Sequence, residues 1–413
     1  MSEDKRIRIL FVDDEENVLQ ALRRSLRGMR EEWDMHYLSG GKTGLELLEK
    51  QPMDMIVSDM YMPEMNGAVF LREVKKRHPG IIRIILSGHS DYDLILKTII
   101  PAHTFLHKPC SKDGLIKKIN SIQQFKKLVG KKNVREEITE IGTLPSQPLF
   151  YPLFNEALQN GAPKEIAEII TYDVAMVANI LKVLMNSFLG EVKQLPSLEE
   201  AASMLGKDTL DTLINSQDLF VSYQDISCPQ MPIYTLWRHC FRTAKYAAAI
   251  AAEEAADKDM VNRCFMAGLL HDVGKYILLL KFYPQYRELL QIQEEHPETG
   301  MLQKEIAAFG ATHGTIGAYL MSLWGMPRKV VQAIAFHEMP KVIKDPGFSP
   351  LIAVHAADAF DHYLQKNLWG SAAAKLDMES LKCAGIHERT KTWFNTCKEI
   401  HNNDIKKLKN LVF

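Results

Sequence analysis

The chain reads as two fold classes in series: a doubly wound α/β domain with a five-stranded parallel sheet, then an all-α domain. Three observations predict this. Up to about residue 127, short apolar runs alternate with stretches of helical period and short loops, the pattern of parallel strands joined by crossover helices. From residue 143 onward the strand pattern vanishes and apolar residues recur at helical spacing. Between the two, Gly130-Lys131-Lys132 interrupts a helical stretch and marks a junction.

In the first half the expected order is strand 7–12, a helix from about 16, strand 33–38, helix 41–50, strand 54–58 and a helix from about 67. Strand 81–86, a helix near 91–100, strand 103–106 and a last helix from Lys112 follow. That last helix carries Leu115, Ile119, Ile122, Phe125 and Leu128 at steps of three and four, with lysines on the other side. Its stripe must be buried along its length, and the end near Phe125 and Leu128 is free to dock on the second half or on a second copy, which allows a homodimer. The Lys126/Lys127/Lys131/Lys132 cluster reads as a solvated face. Helices are expected at 166–170, 174–188, 198–205, 209–220, 233–254, 259–271, 284–295, 313–325, 327–337 and 349–365, with a terminal helical region over 377–412. Pro163, Gly190, Pro196, Gly206, Pro229 and Pro232 mark breaks. The division is therefore 5–127 for the α/β domain, 128–142 for a linker helix, 143–360 for the helical domain and 361–413 for a C-terminal helical extension.

The strand ends carry the chemistry. The pair Asp13-Asp14 closes the first strand, Asp59 the third and Ser87 the fourth, and Lys108-Pro109 follows the fifth. Open parallel sheets place their sites at the carboxyl ends of the strands. Three converging carboxylates repel one another and need a cation, and an all-oxygen set favours Mg²⁺. With the ion bound, Asp59 can attack a phosphoryl group and form an acyl phosphate. Lys108 would neutralise one phosphoryl oxygen and the Ser87 hydroxyl would bond another.

Composition narrows the class further. Apolar residues make up 46% and charged residues 24%, with a formal net charge of −1, as in a soluble globular protein without a global pull toward nucleic acid. No basic recognition helix stands out, so a DNA-binding regulator is disfavoured. The six cysteines are scattered, with no Cys-x-x-Cys spacing and no secretory leader before the first strand, which favours a reducing cytoplasm. No apolar run reaches the roughly 18–20 residues of a membrane span.

With those strand ends in place, residues 5–127 resemble a response-regulator receiver domain. The resemblance implies Asp13 and Asp14 as the acid pair, Asp59 as phosphoacceptor, Ser87 as switch hydroxyl, Lys108 before a cis Pro109, and Phe105 at the switch-aromatic position. It also implies a partner histidine kinase as phosphoryl donor.

In the second half His271-Asp272 closes an apolar helix and is followed by Val-Gly-Lys. His239, His313, His337, His355, Asp358 and Asp361 lie on other predicted helices. Imidazoles and carboxylates projected inward from several helices can hold a divalent transition metal and activate water toward a phosphoester. His239, His271-Asp272 and Asp358 match, in order, the His…His-Asp…Asp pattern of the HD phosphohydrolase superfamily. More closely, residues 143 to about 360 resemble an HDOD domain. The resemblance rests on Leu144-Pro145, Ile170-Thr171-Tyr172-Asp173, Asn186-Ser187 before Phe188, Ser197-Leu198-Glu199-Glu200-Ala201 and Leu205-Gly206. Trp237-Arg238-His239, His313-Gly314 with Gly317, and Trp324-Gly325-Met326-Pro327 complete it. It implies a protein-interaction output module whose metal site is often degraded. His239, His271, Asp272 and Asp358 would hold one ion, with His313 and His337 near a second. The cyclic-di-GMP phosphodiesterase relatives place a further histidine where this chain has Phe336, and a Gly-Tyr-Pro motif soon after that is absent here. Two readings stay open: a regulator signalling through an unidentified protein partner, and a phosphorylation-gated HD phosphohydrolase acting on a nucleotide or other phosphoester.

Overall fold

The computed structural model describes residues 6–88, 100–146, 150–187, 194–215, 228–296, 298–343, 347–365 and 376–411. The helix expected near 91–100 lies outside them up to its last position, as do Phe188, Gly190, residues 216–220 of the helix expected at 209–220, and residue 412.

Five parallel strands form one sheet: β1 (Ile7–Val12), β2 (Trp33–Leu38), β3 (Met55–Asp59), β4 (Ile82–Ser87) and β5 (Thr104–His107), in the order β2-β1-β3-β4-β5. Reversal of strand order beside β1 opens a crevice at the carboxyl ends, where Asp13, Asp59 and Ser87 emerge. β3 and β4 are buried at every position because helices cover both faces, which is why they read as unbroken apolar runs. The last three strands run one residue later than the periodicity predicts. Asp59 and Ser87 are thus the final residues of their ladders, Asp59 opposite Leu86 and Ser87 opposite His107.

The helix Gly67–Arg77 is capped by Asn66, whose side chain accepts from Val69 N–H at 2.9 Å. It starts against the end of β3. A Cβ on Gly67 would lie 2.2 Å from the Asp59 carbonyl oxygen, so only glycine permits that approach. The stretch 128–142 is not one helix: after Lys112–Lys127 the chain turns at Gly130 and a separate helix runs Lys132–Glu140, burying Val134 and Ile138.

The second half is built of helices, with no strand element among its described residues. Its centre is built from Ile233–Glu253, Lys258–Leu270, His313–Leu323, Arg328–Phe336 and Pro350–Leu364, which pack on one another. Lys258–Leu270 ends at His271, and Val273–Lys281 begins at once with Asp272 as its N-cap residue. That sharp junction turns His271 and Asp272 inward. Gly274 allows Val273–Lys281 to lie against the start of His313–Leu323, since a Cβ there would sit 1.8 Å from the His313 carbonyl oxygen. The C-terminal helix Thr390–Leu411 packs on Ile233–Glu253 and Pro350–Leu364, with Trp393 fully buried.

The two halves are docked on each other. Phe105 N–H and Thr104 Oγ1 in edge strand β5 both donate to Asn186 Oδ1, at 2.8 and 3.0 Å. The helix His313–Leu323 packs against both Lys112–Lys127 and Lys132–Glu140. Gly130 N–H donates to the Gly310 carbonyl at 2.8 Å, and the Thr139 and Tyr319 hydroxyls stand 2.8 Å apart. Arg83, inside the sheet, spends its guanidinium on the carbonyls of Pro79, Ile81 and Pro101 and reaches Thr139 O at 3.4 Å.

Candidate functional site

The carboxyl edge of the sheet assembles the first site. Lys108 Nζ bridges two carboxylates, 2.8 Å from Asp13 Oδ2 and in direct contact with Asp59 Oδ1. The Lys108-Pro109 peptide is cis, as the resemblance implies. Asp13 Oδ1 accepts from Glu15 N–H at 3.0 Å, and Asp59 Oδ2 from Tyr61 N–H at 2.7 Å, so both acids are fixed from the loop side. Asp13, Asp59, Ser87 and Phe105 are buried, whereas Asp14 is exposed at the rim. Burial pushes the Asp59 pKa up, Lys108 opposes the rise and Asp13 adds to it. Two buried carboxylates that share one ammonium draw cationic charge, and the donor set is all oxygen. It therefore fits Mg²⁺ held by Asp13, Asp14 and Asp59.

The second half brings its histidines and acids to one buried centre. His239, His271, Asp272, His313, His337 and Asp358 all converge, each under a tenth exposed. Four imidazoles are aimed by their far nitrogens. The Nδ1 of His239 bonds Asp361 Oδ2 (2.7 Å), that of His271 bonds Gly268 O (2.7 Å), that of His313 bonds Glu305 Oε2 (2.9 Å), and that of His337 bonds Ile334 O (3.0 Å). Each acceptor takes the Nδ1 proton and turns Nε2 inward, the orientation of a metal-bound histidine.

The Asp272 carboxylate lies between two groups of nitrogens. Its Oδ2 stands 3.6 and 3.4 Å from Nε2 of His239 and His271, its Oδ1 3.3 and 3.8 Å from Nε2 of His313 and His337. Asp358 Oδ1 lies 3.1 Å from His239 Nε2 and 3.8 Å from that of His271. Donors held about 2.0–2.2 Å from a tetrahedral ion stand roughly 3.3–3.6 Å from one another. Asp272 Oδ1 and Asp358 Oδ1 are buried with no hydrogen-bond partner. Buried anionic oxygens left without a partner are expensive unless cationic charge joins them. The residues thus fit one ion among His239, His271, Asp272 and Asp358, and a second among Asp272, His313 and His337.

Charge at the centre agrees. Burial works against ionisation of Asp272, but His271 and Lys275 hold its pKa well below the usual range; Lys275 Nζ bonds Asp272 Oδ2 at 2.7 Å. Burial pulls the His239 pKa down, yet Asp358 and Asp361 outweigh it and set it at about 9. For His313, Glu305 is the largest influence opposing burial, and the pKa reaches about 10. Protons held there are what an incoming cation displaces.

His355 does not join the centre. Its Nδ1 bonds the His337 carbonyl at 2.6 Å and its Nε2 accepts from Asp377 N–H at 2.8 Å, so both nitrogens serve the packing of the chain. Asp361 acts one layer out, bonded to Arg242 at 2.6 and 2.9 Å while it orients His239. Sequence reasoning missed the aiming role of Glu305, fully buried on a helix of its own, for which the chain carries no spacing signal. It also missed His362, whose Nε2 is 3.4 Å from Asp358 Oδ1. The four-residue interval to Asp358 was the available sign. Asn186 stood out only as a family marker, not as a contact to β5. No helix among the described residues is long and apolar enough to cross a membrane.

Comparison with known proteins assigns each half of the chain to a domain family. Residues 9–120 match the response regulator receiver domain family and residues 144–340 the HDOD domain family. The chain is a response regulator of the two-component type. In particular, it joins a receiver domain to an HDOD domain. The hydrogenase transcriptional regulatory protein HoxA of Cupriavidus necator is 35% identical over 129 residues, 31% of this chain and 26% of that protein. An uncharacterized protein of Treponema pallidum is 26% identical over 228 residues, 54% of this chain and 42% of its own. The chain therefore spans less than half the length of these relatives. Among solved structures, the MmoQ response regulator from Methylococcus capsulatus is 19% identical, with a TM-score of 0.46 over 61% of this chain and 97% of that one.

Proposed function

We propose that this response regulator takes a phosphoryl group from a histidine kinase onto Asp59, with Mg²⁺ held by Asp13, Asp14 and Asp59, and signals by changing what its HDOD domain exposes to a protein partner. The division at 5–127, 128–142, 143–360 and 361–413, and a cytoplasmic location, belong to the same reading. One observation carries it: the backbone N–H of Phe105, at the switch-aromatic position, is held at 2.8 Å by Asn186 of the HDOD region. Lys108 moves its charge toward the phosphoryl group when Asp59 is modified, and Ser87 bonds another of its oxygens. A shift of β5 that follows alters the bond to Asn186 directly. Such a contact need differ between the two states by only a few kcal/mol to move the population substantially. Hydrogen exchange of the full chain, with and without a small-molecule phosphoryl donor and Mg²⁺, tests it. Loss of protection at residues 182–187 and 313–323 on phosphorylation is expected. Unchanged exchange there would sink the reading.

A second reading is favoured by a separate observation, the Asp272 carboxylate between two sets of inward Nε2 atoms with Lys275 beside it. A divalent transition metal held there would supply a bound water of lowered pKa for attack on a phosphoester. Lys275 is placed to hold an anion's charge at the same carboxylate. All six predicted donors are buried in this docked arrangement, so turnover would have to follow an opening that phosphorylation of Asp59 gates. Metal analysis of the purified chain, followed by assay of model phosphoesters before and after phosphorylation, separates the readings. Turnover that depends on both metal and Asp59 supports the hydrolase, and bound metal without turnover supports the interaction module.

A further inference from the structure

We propose that His362 is a ligand of the ion held by His239, His271, Asp272 and Asp358, a fifth protein donor outside the His…His-Asp…Asp pattern. The inference rests on the metal-binding reading above and adds to it.

His362 lies on Pro350–Leu364 one helical turn beyond Asp358, so the two side chains share a face and reach the same point. Its Nε2 is 3.4 Å from Asp358 Oδ1, within the range that separates two donors on a common ion. That oxygen has no hydrogen-bond partner, so the approach of His362 is not explained as a hydrogen bond to it. The His362 and His239 ring centroids are 5.0 Å apart, and one donor atom each from His239, Asp358 and His362 lie within 4.8 Å of one another. His362 is only 7% exposed, so an imidazole has been taken out of water and set beside Asp358 and His239.

The consequence is a difference between the two positions. Around His239 the donors become three nitrogens and two oxygens; around His313 they are two nitrogens and the shared Asp272. Added imidazole favours borderline ions such as Zn²⁺ and Co²⁺ over Mg²⁺ or Mn²⁺. His362 therefore makes the first position the tighter and the more selective one.

Titration of the metal-free full chain with Zn²⁺, Co²⁺ and Mn²⁺ by calorimetry, with Co²⁺ absorption spectra, tests this without any assay of activity. In His362→Ala the first equivalent of Zn²⁺ and Co²⁺ should weaken by about tenfold or more, Mn²⁺ should weaken less, and the Co²⁺ bands should shift. In His337→Ala the first equivalent should persist and the second be lost. His362→Gln, matched to wild type by circular dichroism without metal, guards against a folding defect and should reproduce the weakening. Two equivalents with unchanged affinity and an unchanged Co²⁺ spectrum in the His362 variants would overturn the ligand assignment while leaving the metal reading intact. A wild-type chain that binds no transition metal would overturn both.

Discussion

Asn186 Oδ1 accepts the backbone N–H of Phe105 at 2.8 Å, so a side chain of the HDOD region closes this position on the edge of the receiver sheet. An edge strand otherwise presents unpaired backbone groups. Asn186 is itself held, donating to the Lys182 carbonyl at 2.6 Å. The bond thus links strand β5, which leads to Lys108, to a helix in the second half.

Replacing Asn186 with Ala strands the Phe105 N–H and the Thr104 hydroxyl in a buried interface. An unsatisfied buried group costs about 1–3 kcal/mol, which here falls on the docked state. Faster hydrogen exchange at residues 104–107 and 182–187 is expected, with helical content retained by circular dichroism. Exchange equal to wild type would show that the contact contributes nothing to docking.

Phosphorylation itself is checked at Asp59. A phosphoryl donor with Mg²⁺ should label the wild type and leave Asp59→Asn unlabelled, because an amide nitrogen cannot form the acyl phosphate. Label persisting in the Asn variant would assign the acceptor elsewhere.

Lys108→Ala removes the ammonium now shared by Asp13 and Asp59. The variant should still accept the phosphoryl group yet lose the change in exchange at 182–187, since the charge that distinguishes the two states is gone. A wild-type response would exclude Lys108 from the switch.

The HDOD centre should not hydrolyse cyclic-di-GMP. Phe336, buried beside His337, offers no lone pair where the phosphodiesterase relatives have a histidine, and the Gly-Tyr-Pro segment is missing. Metal-dependent turnover of that dinucleotide, lost in His271→Ala, would reverse this expectation.

Much of this was legible in the chain because a buried parallel strand reads as a short unbroken apolar run with its polar residues at the carboxyl end. Asp13, Asp59, Ser87 and Lys108 could be placed from their positions alone, to within one residue of the observed ladders. The histidines could be listed but not aimed: the partner that fixes His313 is Glu305, and the one that fixes His239 is Asp361, across 122 positions of chain. Such pairings arise from helix packing, which leaves no local spacing signal. The docking of the halves was hidden for a related reason. The apolar stripe of Lys112–Lys127 looks the same whether its far end covers its own sheet or meets His313–Leu323, and only the fold decides.

The contrast between a coupled pair of domains and a passive tether can be put to one substitution, Thr104→Lys. Thr104 is 1% exposed, its hydroxyl bonds Asn186, and a Cβ on Gly325 would come within 2.9 Å of that oxygen, so the docked state has no room for a longer side chain. In a receiver released from the HDOD region, the same position lies on an edge strand, where lysine is well tolerated. The change therefore penalises docking and leaves each half able to fold. Exchange at 182–187 and 313–323 should rise to the level of the phosphorylated wild type, and phosphorylation of Asp59 should add little more. The helix His313–Leu323 carries His313 at its first residue, so the same variant should also alter the affinity of the second metal position. If exchange across 143–360 is the same in wild type, phosphorylated wild type and Thr104→Lys, the halves are independent and the contact at Asn186 transmits nothing.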